Sequence, residues 1–216
     1  MDGGEAGPGR LIDRSVALIC LSQTADKKQC DHERVITQSQ LEFDTRVLLI
    51  RAGGVGAAFE PIDESTLKHG LELVVGQLLE TAEADKLSAF PLEEGEIDKE
   101  VKTFQDLLGG VPQLERFLRA HEADGSTLAA VLARSLRTQR VLDAKVKLKA
   151  AVSEAEARRW QDSHPDYRAV PLGVIREKLF QERYGELTAQ ELKQMRKEAK
   201  VRLLGAFAPQ PSAEAK

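Results

Sequence analysis

Apolar positions along the chain follow two rhythms. In LIDRSVALIC, residues 11–20, Val16, Leu18 and Cys20 fall on one side of an extended backbone and Ala17 and Ile19 on the other, which predicts a strand buried on much of both faces. About fourteen mostly polar residues interrupt it, and RVI at 34–36 resumes the pattern as the hairpin partner. Thr37 with Gln40 three residues later forms a capping box, so a helix starts at 37 and stops where Gly53, Gly54 and Gly56 cluster.

From there the period becomes that of a helix. Asp63 is a helix cap, followed by Leu67, Leu71, Val74, Val75, Leu78, Leu79 and Ala82 at spacings of three and four. Gly70 and Gly76 each weaken this helix by up to about 1 kcal/mol, unless a neighbour packs closely against them. A third helix carries Ile97, Val101, Phe104, Leu107 and Leu108 and ends at Gly109 and Gly110. A fourth starts with Pro112 in its first turn and ends at Gly125; a long fifth begins at Ser126 and carries Leu128, Val131, Leu132, Leu136, Val141, Leu142, Val146 and Leu148. Ser153 with Glu156 caps a sixth, which Pro165 closes. Two further helical pieces are predicted, 171–185 and 188–200, the second opened by a Thr188–Glu191 box, and KVRLLGAF at 200–207 reads as a closing strand. The fold expected is mainly α, with one small β-sheet made by the N-terminal hairpin (13–36) and the C-terminal strand (200–205). Residues 1–10 and 208–216 read as a disordered leader and tail.

Composition narrows the function classes. A chain of 216 residues, 42% hydrophobic and 31% charged, can bury one substantial core, so a single unit over 11–207 is expected. No run approaches the roughly 20 apolar residues of a membrane span. Charge is uneven: residues 1–100 carry 10 Lys+Arg against 20 Asp+Glu, and 101–216 carry 21 against 15. The basic stretch ARSLRTQRVLDAKVKLKA has no aromatic on which a base would stack, so nucleic acid is not the expected partner.

Motif chemistry is sparse. His32, His69, His121 and His164 are scattered, and Cys30 with His32 supplies two ligands where a closed metal site needs about four. AGGVGAAF lacks the lysine of a phosphate loop and reads as a helix end, while Glu93 and Glu94 sit in an acidic helix start. No metal, no cofactor and no nucleophile are expected.

The order of elements resembles the SurA-like periplasmic chaperones. With the polar excursion removed, LIDRSVALI plus RVITQSQLEFD is similar to that family's opening strand, turn and first helix. LLETAEA, LEEGEIDKEV, LERFLRAHEADGSTLAAVLARSLRTQRVLDAKV, VSEAEARRWQDSHP and KEAKVRLLGAF continue the likeness over about residues 11–207. The chain departs from the family after VSEAEARRWQDSHP, where a parvulin-type prolyl isomerase domain normally follows. Here only DYRAVPLGV, 166–174, intervenes, so isomerase activity is not implied, and no enzyme is expected.

The resemblance implies a multi-helix chaperone core acting in the periplasm, with a signal peptide already removed or a lipid tether attached. The leader itself has no apolar core of a signal peptide, which fits a cytosolic chain equally well. Its partners would be extended segments of unfolded outer-membrane or secreted proteins. The alternative is one specific envelope protein for which the chain serves as adaptor; a homodimer is compatible with both. In an oxidising compartment Cys20 and Cys30 are expected to form a disulfide, two free thiols being the other reading. Candidate peptide-binding residues are Phe43, Phe59, Phe90, Phe104, Phe117, Trp160 and Tyr167, with Phe180 and Tyr184 beside them; core packing is the competing role of each. Phe59 and Phe90 fall in loops next to Pro61 and Pro91, the better positions for facing a groove.

Overall fold

Strand β1 (Ser15–Gln23) is the middle of a three-stranded antiparallel sheet, with β2 (Cys30–Thr37) on one side and β3 (Val201–Leu203) on the other. Both faces of β1 are covered as its alternation predicts: Val16, Ala17, Ile19 and Cys20 are all buried. The chain is a computed structural model that describes residues 13–23 and 30–208. The predicted leader and the tail beyond 208 lie outside the described residues.

The sheet corrects the hairpin's extent. The polar excursion is not a loop of about fourteen residues, because β1 continues to Gln23 and β2 already begins at Cys30, four residues before Arg34. Register shifts after Ser15 and on both sides of Ser22 let the two arms stay paired while twisting. The closing strand is shorter than expected, three residues from Val201 to Leu203, before the chain turns at Gly205–Phe207.

Seven helices complete the described fold. Helix α1 (Gln38–Arg51) starts at Thr37, whose hydroxyl accepts from the Gln40 amide at 3.4 Å, and ends where Gly53 takes a left-handed φ of 94°. Asp13 adds a second cap, accepting from the Ser39 amide at 3.1 Å and from its hydroxyl, so the residues before β1 clamp the helix after β2. Helix α2 (Glu64–Lys86) is capped by Asp63, whose carboxylate takes the Thr66 amide at 2.8 Å. That bond and those from Thr66 and Ser65 side chains hold the Asp63 carboxyl down at about 2.

Helix α3 (Glu96–Leu108) and the short α4 (Val111–Ala120) lie as expected, except that α4 stops at Ala120 rather than at Gly125. Gly125 instead opens α5 (Gly125–Ala150), because Asp124 beside it accepts from the Thr127 amide at 2.7 Å and caps the new helix. Helix α6 (Glu154–Ser163) begins at Ser153 as predicted.

The clearest correction is α7 (Leu172–Glu198), one helix of 27 residues where two pieces were expected. The Thr188–Glu191 box does not form. Glu191 turns its carboxylate to the Lys145 ammonium on α5, 3.0 Å away, and Leu192 packs against Gly76 of α2. A helix held at successive points along its length tolerates Gly185 in its interior, whose intrinsic cost is only about 1 kcal/mol.

Apolar side chains gather in three clusters. The first joins β1, Ile36, Leu41 of α1, the α2 stripe from Leu71 to Leu79, and Met195 and Ala199 at the far end of α7. The second lies among α1, α3, α4 and α5, around Phe43, Val47, Ile50, Phe104, Phe117 and Leu132. The third is small: Val152, Ala157 and Ile175 are buried between α6 and α7, with Trp160, Tyr167 and Phe180 half-buried around them.

A charged layer separates α2, α5 and α7. Lys145 reaches Glu80 (3.1 Å) and Glu83 (3.3 Å) on α2 as well as Glu191 on α7. Glu80 is fully buried and its Oε1 has no hydrogen-bond partner, so burial pushes its carboxyl above the usual range despite the lysine. Arg134 of α5 plays a matching part toward α1, pairing with buried Asp44 at 2.6 Å and donating to Gln77 Oε1 of α2 at 3.1 Å. Burial raises the Asp44 carboxyl too, against the pull of Arg134.

Candidate functional site: a groove between α5 and α7

The predicted binding residues do not share one surface. Phe43, Phe104 and Phe117 are buried at 4%, 1% and 0% exposure, their rings 5.6–5.7 Å apart around Phe117. They are core in this chain, because α1, α3 and α4 converge on them. Phe43 also lines a cleft of about 400 Å³ bordered by Ser39, His121 and Thr127. Phe59 is exposed at 42%, and the Arg116 guanidinium lies 4.5 Å from its ring centroid. Phe90 is half-buried in the loop after α2, with a left-handed φ of 54°.

Trp160 and Tyr167 do come together, in the third cluster. The Trp160 ring stacks on His164 at 3.9 Å, meets Tyr167 edge-on at 4.9 Å, and receives the Lys178 ammonium at 5.2 Å. Gln161 locks the loop that follows, donating to the carbonyls of Tyr167 (2.9 Å) and Val170 (2.8 Å). Further along α7, the Tyr184 hydroxyl donates to Asp143 at 2.8 Å, and burial together with that carboxylate pushes its pKa up to about 12. Tyr184 is therefore a helix-to-helix tie, neutral across the physiological range.

Against the third cluster runs a groove of about 540 Å³, between the last turn of α5 and the first turns of α7. Val152 and Phe180 form its apolar floor, and Lys147, Arg176 and Glu177 its charged edges. One apolar side chain stands at the groove almost unprotected: Leu148, 87% exposed on its wall. Val174, 57% exposed in the first turns of α7, lies off the face that lines the groove. Leu148 is a correction to the predicted α5 stripe. Val146 and Ala150 face the core, which leaves Leu148 pointing to solvent. The sequence carried no local signal for it, since Val146 is flanked by lysines in the same way and is buried.

The groove's backbone is largely satisfied. Arg176 donates to the Val152 carbonyl at 3.2 Å, and Arg183 to the Ala151 carbonyl at 3.1 Å while pairing with Glu156. Its open binding capacity is thus apolar side-chain surface with charge of both signs at the rim, a surface suited to contact. Among the described residues no group of three or more His, Cys, Asp or Glu is arranged to hold a metal ion.

At the other end of the chain Cys20 and Cys30 form a disulfide, their Cα atoms 5.6 Å apart. Cys30 therefore offers no thiolate to pair with His32 as a ligand. No helix of the described residues is long and apolar enough to cross a membrane. No family model matches the chain, and no curated protein matches it.

Proposed function

We propose that the chain is a non-enzymatic binding module for extended polypeptide segments, chaperone-like in action, and that the groove between α5 and α7 takes the segment's apolar side chains. The observation that carries this reading is Leu148, a large apolar side chain left in water beside the apolar floor of Val152 and Phe180. Burying it against a client removes it from water, worth about 1.5–3 kcal/mol. The rim carries both signs, Lys147 and Arg176 with Glu177, which favours clients with charged flanks, acidic ones opposite the two cations. The resemblance to SurA-like chaperones points the same way and makes unfolded outer-membrane or secreted proteins the client class. The Cys20–Cys30 bridge is kept in an oxidising compartment, the periplasm in this reading.

The test is aggregation of an unfolded outer-membrane β-barrel diluted from urea, followed by light scattering. The chain at several-fold excess is expected to suppress it, and the variant Leu148→Glu to lose most of that effect while keeping its helical signal. No suppression by the unaltered chain sinks the reading. A second reading, an adaptor for one envelope protein, is favoured by the disulfide-tied hairpin, whose β2 strand is exposed from Cys30 to Val35. One stoichiometric partner in a pull-down, in place of many clients, would select it.

A further inference from the structure

The two strands flanking β1 close the sheet differently. β3 is three residues long and turns at once into Gly205–Phe207, which folds back on β1. β2 is eight residues long, and its residues Cys30 to Val35 are exposed. Among the described residues β1 is its only strand neighbour. Short edges are protected and long ones are templates for another strand, so β2 is the edge to ask about.

The hydrogen-bonding phase of that edge follows from the opposite side of β1. The Cys20 amide donates to the Lys200 carbonyl at 3.0 Å and the Leu204 amide to the Val16 carbonyl at 2.9 Å. Val16, Leu18 and Cys20 therefore direct their main-chain groups toward β3. Their β2 partners form non-hydrogen-bonded pairs with them: Glu33 opposite Cys20 and Val35 opposite Leu18. Glu33 and Val35 consequently turn their N–H and C=O groups outward, away from the sheet, and Val35 adds a side chain 44% exposed. The Cys20–Cys30 bridge ties the start of β2 to β1, so this edge is held in its extended form before any partner arrives.

We propose that the outer edge of β2 accepts an extended segment of another protein as an antiparallel fourth strand, selected by charge. The segment carries a basic residue opposite Glu33, an acidic residue opposite Arg34 and a β-branched residue opposite Val35. A second copy of this chain does not fit. Two-fold antiparallel pairing must match outward-facing residues with outward-facing residues, which leaves three central registers. Centred on Glu33, it sets Glu33 against Glu33. Centred on Arg34, it sets Arg34 against Arg34. Centred on Val35, it carries Glu33 of one copy onto Thr37 at the start of α1 in the other, where the Asp13 carboxylate already holds Ser39. Each register opposes like charges, and a partner with the inverse pattern gains at the same positions.

This edge and the α5–α7 groove lie on different elements, so the two readings fail separately. The test is fluorescence anisotropy of a labelled peptide containing Thr-Val-Glu-Lys-Thr, titrated with the oxidised full chain, against the charge-reversed peptide Thr-Val-Lys-Glu-Thr. The first is expected to bind about tenfold tighter. Glu33→Lys with Arg34→Glu inverts the preference. Val35→Pro removes the outward N–H without touching the ladder to β1, and abolishes binding of either peptide. Leu148→Glu changes nothing. The proposal is overturned if neither peptide binds, if both bind equally, if the charge-swapped variant keeps the original preference, or if sedimentation shows a dimer that Val35→Pro dissolves.

Discussion

Gly70 shows how much one missing side chain decides. A Cβ there would stand 2.1 Å from Thr45 Oγ1, so α1 and α2 cross at a distance only glycine permits. Gly76 is a milder case, since its Cβ would meet the flexible end of Leu192 at 2.8 Å. Gly185 is the opposite: nothing lies within 4 Å, and its backbone is ordinary helix. Gly70→Ala should therefore destabilise the chain by about 1–3 kcal/mol, the overpacking cost exceeding the gain in helix propensity. Gly185→Ala should stabilise it by about 0.4–1 kcal/mol. Urea unfolding of the two variants reads both signs, and a shift in the same direction would contradict the packing described.

At the scale of elements, α2, α5 and α7 are joined by one cation. Lys145 is pushed down by its own burial, but Glu191, Glu80 and Glu83 outweigh that and hold its pKa above the ordinary lysine value. Lys145→Met leaves Glu80 buried without a counter-ion, at a cost of about 3 kcal/mol near neutral pH. The folded-state pKa of Glu80 is raised, so ionisation of this group opposes folding above its unfolded value near 4.3 and the penalty fades as pH falls toward it. The loss in Lys145→Met should accordingly be large at pH 7 and small at about pH 4.5, measured by denaturant midpoints. An equal loss at both values would mean that Glu80 is not the group left unpaired. The same cation explains α7. Glu191 was legible as half of a capping box only while its partner was taken to be local; the ammonium that claims it stands 46 residues earlier in the chain.

For the whole molecule, the three apolar clusters are unequal. The first two each bury ten residues and both draw on α1, whereas the third buries only Val152, Ala157 and Ile175 and is closed by half-exposed aromatics. Its share of the folding free energy is correspondingly small. Native-state hydrogen exchange should therefore find amides of α6 and the first turns of α7 opening well before those of α2 and the middle of α5. Uniform protection would show that the groove sits on a body as firm as the rest. A proposed client site on the less stable end of the molecule is where adaptation to varied segments costs least.

What this sequence determined by itself was local: the alternation that buries β1 on both faces, the Thr37, Asp63 and Ser153 caps, the glycine stop after α1 and the stripe of α2, hence a mainly α chain closed by a small sheet. These rest on interactions within a few residues, which a linear string contains. The aromatics Phe43, Phe104 and Phe117 and the end of α5 went the other way. Whether an apolar residue is core or surface depends on which helices converge on it, and nothing near Leu148 in sequence says that α7 leaves its side uncovered. The continuity of α7 through residues 185–188, the groove and the outward phase of β2 were decided only by tertiary contacts, because each is set by a partner tens to more than a hundred residues away.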